Sequence, residues 1–305
     1  MNASLQNYAK PALTFDQQLD QLIARGLQVG DRAKALSQLD VISYYRLSAY
    51  WHPFRLRDQQ GRLPDDFIAG SSLTEVLRLY EFDRGLRLLL MDAIERIEVA
   101  VRTRMTYFFA HKYGAFGYVD ADNFHPRFNH AFWLNKICAE VERSSEQFIH
   151  HYRQTYSGFP HLPIWMATEV ASLGALSYFY SGLKHDDKRE VADYFGQHHI
   201  RLADWLHSLT YVRNVCAHHS RLWNRELAIR SSRIRDPNWQ SPLTPRNDRI
   251  FYVLLIVRQL LTVIGDEAEW TNNMQELILP IASNPFYAGS MGLPEDWLSH
   301  PLWVN

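Results

Sequence analysis

The segment Leu202–Arg225, LADWLHSLTYVRNVCAHHSRLWNR, carries the densest set of side chains able to do chemistry, with Arg213, Asn214 and His218 grouped inside it. A histidine gives or takes a proton near neutral pH. An arginine holds a phosphate or a developing negative charge. An amide one turn before a histidine can fix its tautomer and ring orientation. Together these are the parts needed to cleave RNA without a metal, the neighbouring 2′-hydroxyl attacking the phosphorus. Read as one helix, Leu202, Trp205, Leu209, Val212, Cys216, His219 and Trp223 form an apolar stripe, and Asn214 and His218 share a second face. Residues five apart on a helix point about 140° from each other. Arg213 and His218 therefore converge on one target only if the helix ends there, or if a second copy supplies the partner.

The local charge suits an anionic ligand. Arg213, Arg221, Arg225, Arg230, Arg233 and Arg235 face a single acid, Glu226, in a chain whose net charge is −1. Such clustering is the electrostatic footprint of nucleic-acid binding, and Arg221, Arg225, Arg230, Arg233 and Arg235 are the candidate RNA contacts. The plain alternative is a solvated helix face followed by a basic loop. Over the whole chain 26 arginines accompany six lysines, a bias suited to planar, bidentate recognition of phosphate or simply to a GC-rich genome.

The elements around this segment read as helices. Thr14-Phe-Asp-Gln17 is a capping-box pattern opening a helix over 11–25 that Gly26 ends. Short helices follow at 31–39 and 41–50, then a stretch at 54–69 that is either a small hairpin or an irregular loop. Residues 73–112 have apolar positions three and four apart and no proline, giving one or two long helices with Gly85 as the point of any break. Further helices are predicted at 130–156, 164–183, 186–196, 200–224, 247–265 and 271–281. Residues 231–246 read as an extended connection, and the tail from Pro285 as irregular chain packed by Trp297 and Trp303. The fold class is all-α: a helical N-terminal segment at 1–70 that includes the candidate hairpin, a helical bundle core at 71–265, and a helix plus packed tail at 266–305.

Several motifs match one known family in order and spacing. Arg213-Asn-Val-Cys-Ala-His218 resembles the R-x4-6-H motif of HEPN ribonucleases. Lys10-Pro11, Arg25-Gly-Leu27, Ile42-Ser-Tyr-Tyr-Arg-Leu-Ser-Ala-Tyr50, Tyr80-Glu-Phe-Asp-Arg84, Glu95-Arg-Ile-Glu98 with Arg102, and Tyr113-Gly114 resemble the Abi-like (AbiD/AbiF) abortive-infection family. So do Pro163-Ile-Trp165 with Glu169, Ser172-Leu-Gly174, and the run from Arg213 to Arg225. The likeness spans roughly residues 8 to 260. It implies a HEPN-type helical core and a metal-independent endoribonuclease toxin of phage defence. It further implies a site composed from two motifs across a homodimer, and products with 2′,3′-cyclic phosphate and 5′-hydroxyl ends. By the same resemblance Arg213 stabilises the charged phosphorane, His218 transfers protons and Asn214 orients it. The substrate would be RNA, tRNA being one candidate, and a small RNA would act as antitoxin.

Other readings stay open beside this one. His219 also fits the motif spacing, although its place on the apolar stripe suits a core role. Arg104 and His111 form a second R-x6-H pair, for which a buried arginine paired with an acid is the plainer account. Glu98 and Arg102 are spaced for an ion pair, and Glu98 could instead hold Arg213. A non-catalytic RNA-binding HEPN protein is the alternative function. DNA binding by the helices at 14–50 with the hairpin as a wing is a third, weakened by the lack of a basic helix there.

Composition excludes several classes. Two cysteines, Cys138 and Cys216, make neither a disulfide framework nor a zinc cage, and no H-E-x-x-H or C-x-x-C spacing occurs. No metal or cofactor is expected. No apolar run approaches membrane-spanning length, and the start of the chain lacks signal-peptide features, so the expected location is the cytoplasm.

Overall fold

A computed structural model describes residue 9 and residues 11–57, 64–240 and 245–304. Among these the protein is all-α, with fifteen α-helices and only isolated β-bridges. Its contacts divide into two units, Met1–Arg84 and Gly85–Asn305. The division falls inside a helix, Leu73–Tyr113.

In the first unit, the expected capping box opens the Phe15–Ala24 helix. Thr14 N–H donates to Gln17 Oε1 at 2.9 Å, and Gln17 N–H donates to Thr14 Oγ1 at 3.3 Å. Helices Arg32–Ile42 and Tyr44–Trp51 follow, separated by Ser43 at φ 72°. Ser43 accepts from Arg46 N–H and so caps the third helix. The 54–69 stretch contains one antiparallel bridge, Arg55 with Phe67, flanked by Leu56 N–H to Asp66 O and Ile68 N–H to Phe54 O. Residues 58–63 of the expected hairpin or loop lie outside the described residues. Leu19, Leu22, Leu39, Leu47 and Trp51 fill the core. Tyr50 donates to the fully buried Asp83 carboxylate at 2.7 Å. Tyr45, its near neighbour in sequence, is 88% exposed, so these aromatics divide between core and surface.

Two helices carry most of the remaining sequence expectations. Leu73–Tyr113 runs unbroken through Gly85 for 41 residues, about 60 Å. A side chain at Gly85 would meet Leu277 Cδ1 at 2.9 Å, so glycine there serves close packing and not a break. Ile250–Ile264 is buried almost all round, the mark of a central helix. Its Arg258 is also buried and donates to Leu302 O at 2.8 Å, which anchors the C-terminal tail. Trp297 and Trp303 pack the tail as expected, their rings 5.4 Å apart. The tail itself is not irregular: it forms helices Pro285–Met291 and Pro301–Val304.

Three other expectations change. The helix expected over 130–156 is two helices, His130–Arg143 and Gln147–Thr155, because Ser144 and Glu146 adopt extended backbone and Ser144 Oγ accepts from Glu146 N–H. The 164–183 helix is interrupted at Ala171, after which Ser172 caps Leu173–Gly182. The connection at 231–246 contains a short helix, Pro237–Gln240, and its residues 241–244 are outside the described set.

Candidate active site

The helix bearing the motif is His199–Ala217, shorter than the expected 200–224. It ends in a Schellman arrangement: His219 N–H bonds Cys216 O at 2.9 Å and Ser220 N–H bonds Val215 O at 3.0 Å. The left-handed position normally taken by glycine is occupied by His219, at φ 54°. Beyond it Leu222 and Trp223 are adjacent in sequence and both fully buried.

This corrects two expectations. His219 and Trp223 do not extend an apolar helical stripe, and His219 is exposed, not a core residue. His218 is the C-cap residue and is also exposed, as is Asn214. Among the described residues no hydrogen bond joins the Asn214 and His218 side chains; the link between them is the helical bond from His218 N–H to Asn214 O, 3.0 Å. The helix therefore stops one turn after Arg213, at the motif histidines.

Arg213 is half-buried and adds its positive field to the Glu98 carboxyl. Arg102 Nη2 donates to the same carboxyl at 2.7 Å and to Ala171 O at 3.2 Å, tying the long helix to the extended residue before Ser172. Glu98 thus serves both arginines. Burial pushes its carboxyl above the ordinary carboxylate range, while Arg102 and Arg213 pull it down. Glu95, one turn earlier, also acts on Glu98 and raises its pKa, so two carboxylates and two guanidiniums meet around this site. Gly174 lets the helices approach nearby: a Cβ there would lie 3.3 Å from Thr210 Cγ2, one turn before Arg213.

The arginines after the motif fall into two groups. Arg225 turns back on Arg221 O at 2.8 Å, and Arg230 is ion-paired with Glu226. Arg233 and Arg235 are exposed and line a cavity of about 250 Å³ with Arg201 and His198. Their loop is pinned by Ser232 N–H to Asp204 at 2.7 Å and by Tyr252 to Ser232 O at 2.8 Å.

The second arginine-histidine pair departs from its plainer reading. Arg104 is half-buried, and its guanidinium lies over the Tyr194 ring, 4.4 Å from the centroid. Among the described residues it makes no ion pair; an aromatic face stands where an acid was expected. His198 is the N-cap of the motif helix, and its ring lies 4.3 Å from that of His199, the first helical residue. Sequence reasoning missed Tyr194 as a partner of Arg104, since ninety residues separate them and no local pattern links them. It also missed a cleft of about 670 Å³ lined by Glu140, Arg143, Glu169 and Val170. Among the described residues no group of three His, Cys, Asp or Glu is placed to hold a metal ion, and no helix is long and apolar enough to cross a membrane.

A family model described as Abi-like protein matches residues 37–224, which end just after the motif helix. No curated protein and no solved structure matches the chain.

Proposed function

The chain belongs to the Abi-like protein family, and from that premise we propose that it is a metal-independent endoribonuclease toxin of abortive infection, acting in the cytoplasm of a phage-infected bacterium. The observation that carries this reading is the helix end at Ala217, which leaves His218 and His219 exposed one turn after the half-buried Arg213.

In the proposed reaction the 2′-oxygen attacks the adjacent phosphorus and loses its proton to a base. The 5′-oxygen leaves with a proton from an acid, giving a 2′,3′-cyclic phosphate and a 5′-hydroxyl. His218 is the proton-transfer group, with His219 beside it able to take the second role. Arg213 faces the doubly charged phosphorane, and Glu98 with Arg102 positions it. Asn214 borders the histidine. Arg233 and Arg235 hold the flanking strand, assisted by Arg221, Arg225 and Arg230. A second copy of the chain supplies the opposing motif, and a small RNA is the proposed restraint before infection.

The test compares wild type with His218→Ala on total RNA and purified tRNA with a chelator present, mapping the new ends. Cleavage by wild type alone, with cyclic-phosphate and 5′-hydroxyl ends, supports the reading. Absence of cleavage by folded, RNA-free wild type replaces it with a binding-only protein, the role that exposed Arg233 and Arg235 would also serve.

A further inference from the structure

Arg104, Tyr107 and His111 recur at helical spacing and share one face of the Leu73–Tyr113 helix. Two adjoining cavities, of about 270 and 330 Å³, both include Arg104 and Tyr107. Tyr194 lines the first; His111, Lys112 and Glu190 line the second. Tyr107 is 58% exposed and Tyr194 is 44% exposed. The Tyr107 and His111 ring centroids lie 4.0 Å apart, the rings tilted by 35°. His111 Nδ1–H donates to Tyr107 O at 2.7 Å, which fixes the ring and leaves Nε2 as an acceptor when neutral.

We propose that this face binds unpaired nucleobases of an RNA strand, separately from the motif at Arg213 and His218. That the strand is RNA rests on the function proposed above. A guanidinium has two flat faces, and Tyr194 covers one of them. Planar cations and aromatic rings lining adjoining cavities are what stacks successive bases in single-strand recognition. The charges argue for the base over a bare phosphate. Lys112 is already paired with the buried Asp187, and Glu190 contributes an exposed carboxylate that repels an anion. The same carboxylate accepts from an exocyclic amino group, which cytosine carries and uracil lacks.

The test measures anisotropy of labelled short oligo-C and oligo-U on the whole chain at fixed salt. Oligo-C binds several-fold more tightly than oligo-U, and Glu190→Gln narrows that gap. Tyr107→Ala weakens oligo-C binding about 10-fold, as loss of one stacked base requires, while Tyr107→Phe retains it. Arg104→Lys keeps the charge, loses the planar stack and weakens binding comparably. Phe286→Ala, which removes an exposed aromatic elsewhere, leaves binding unchanged. Unfolding midpoints equal to wild type confirm that each variant is folded. Binding that is indifferent to Tyr107→Ala and Arg104→Lys, or wild type that binds neither strand, overturns the site. The two readings fail separately. Tyr107-dependent binding without any cleavage removes the ribonuclease and keeps this site, whereas cleavage with Tyr107-independent binding does the reverse.

Discussion

Arg102 and Glu98 are ion-paired at 2.7 Å across one helical turn, with side chains only 14% and 16% exposed, and Arg213 bears on the same carboxylate. Removing Glu98 therefore leaves two half-buried guanidiniums without their shared counter-charge. Breaking such a group by deleting one partner is costly. Glu98→Ala should lose about 2 kcal/mol of stability, less than a fully buried pair because water reaches the edge of the site. The double variant Glu98→Ala/Arg102→Ala should lose less than the sum of the two single changes. Urea titration of the four proteins measures this coupling. Strict additivity would show that the two side chains do not support each other.

His219 and His218 are adjacent but differ in what they cost. At φ 54° a non-glycine residue is strained, and glycine is the usual occupant of that position in a helix end of this kind. His219→Gly should raise stability by about 1 kcal/mol or less, the relief of the left-handed conformation being partly offset by glycine's greater unfolded-chain entropy, whereas His218→Ala, at an exposed cap with ordinary backbone, should change it little. If His219 takes the second proton-transfer role, the stabilised His219→Gly protein should cut RNA more slowly than wild type. Thermal unfolding and initial cleavage rates on the same samples separate the two effects. A destabilised His219→Gly would mean that side-chain contacts at this position outweigh its backbone strain.

Much of the scaffold was legible because its signals are local. Thr14 and Gln17 specify a capping box within four residues, and the apolar spacing from Leu73 onward identifies the long helix. Gly85 looked like a break only because sequence does not show Leu277 packed against it. The motif residues were legible as types and spacing, yet the helix end that exposes them was not. No glycine or proline stands at 218–221, and the left-handed position that closes the helix falls on His219, a residue type that does not announce a helix end. Arg104 over Tyr194 was illegible because the pairing is made by tertiary packing.

The basic loop allows a graded prediction. Arg233 and Arg235 are exposed and free of ion pairs among the described residues, while Arg230 is held by Glu226. Each phosphate neutralised on a single strand adds about 0.7 to the slope of log affinity against log salt. Arg233→Ala and Arg235→Ala should each reduce that slope by about 0.7, and Arg230→Ala should reduce it less. Filter binding of RNA across a salt series gives the slopes. Equal slopes in all three variants would place the phosphate contacts elsewhere.

His300 couples the tail to pH. It is 1% exposed, its Nδ1 accepts from Leu302 N–H at 3.2 Å, and burial lowers its pKa from the ordinary 6.5. The acceptor exists only in the neutral ring. Because the folded-state pKa is depressed, the stability it confers is present above the unfolded value and lost as pH falls through the folded one. His199, also buried, is shifted in the same direction, first by burial and then by His198, Arg189, His185 and Lys188, so it adds to the same loss. The melting temperature should hold above pH 6.5 and fall progressively below it. His300→Asn keeps an acceptor at the helix start and removes the titrating ring. That variant should start from a lower midpoint, because a buried ring is lost, but show a shallower acid slope. Calorimetric scans of both proteins across this range test it. Parallel slopes would mean that His300 stays neutral throughout and that the acid sensitivity belongs to His199 and its imidazole neighbours.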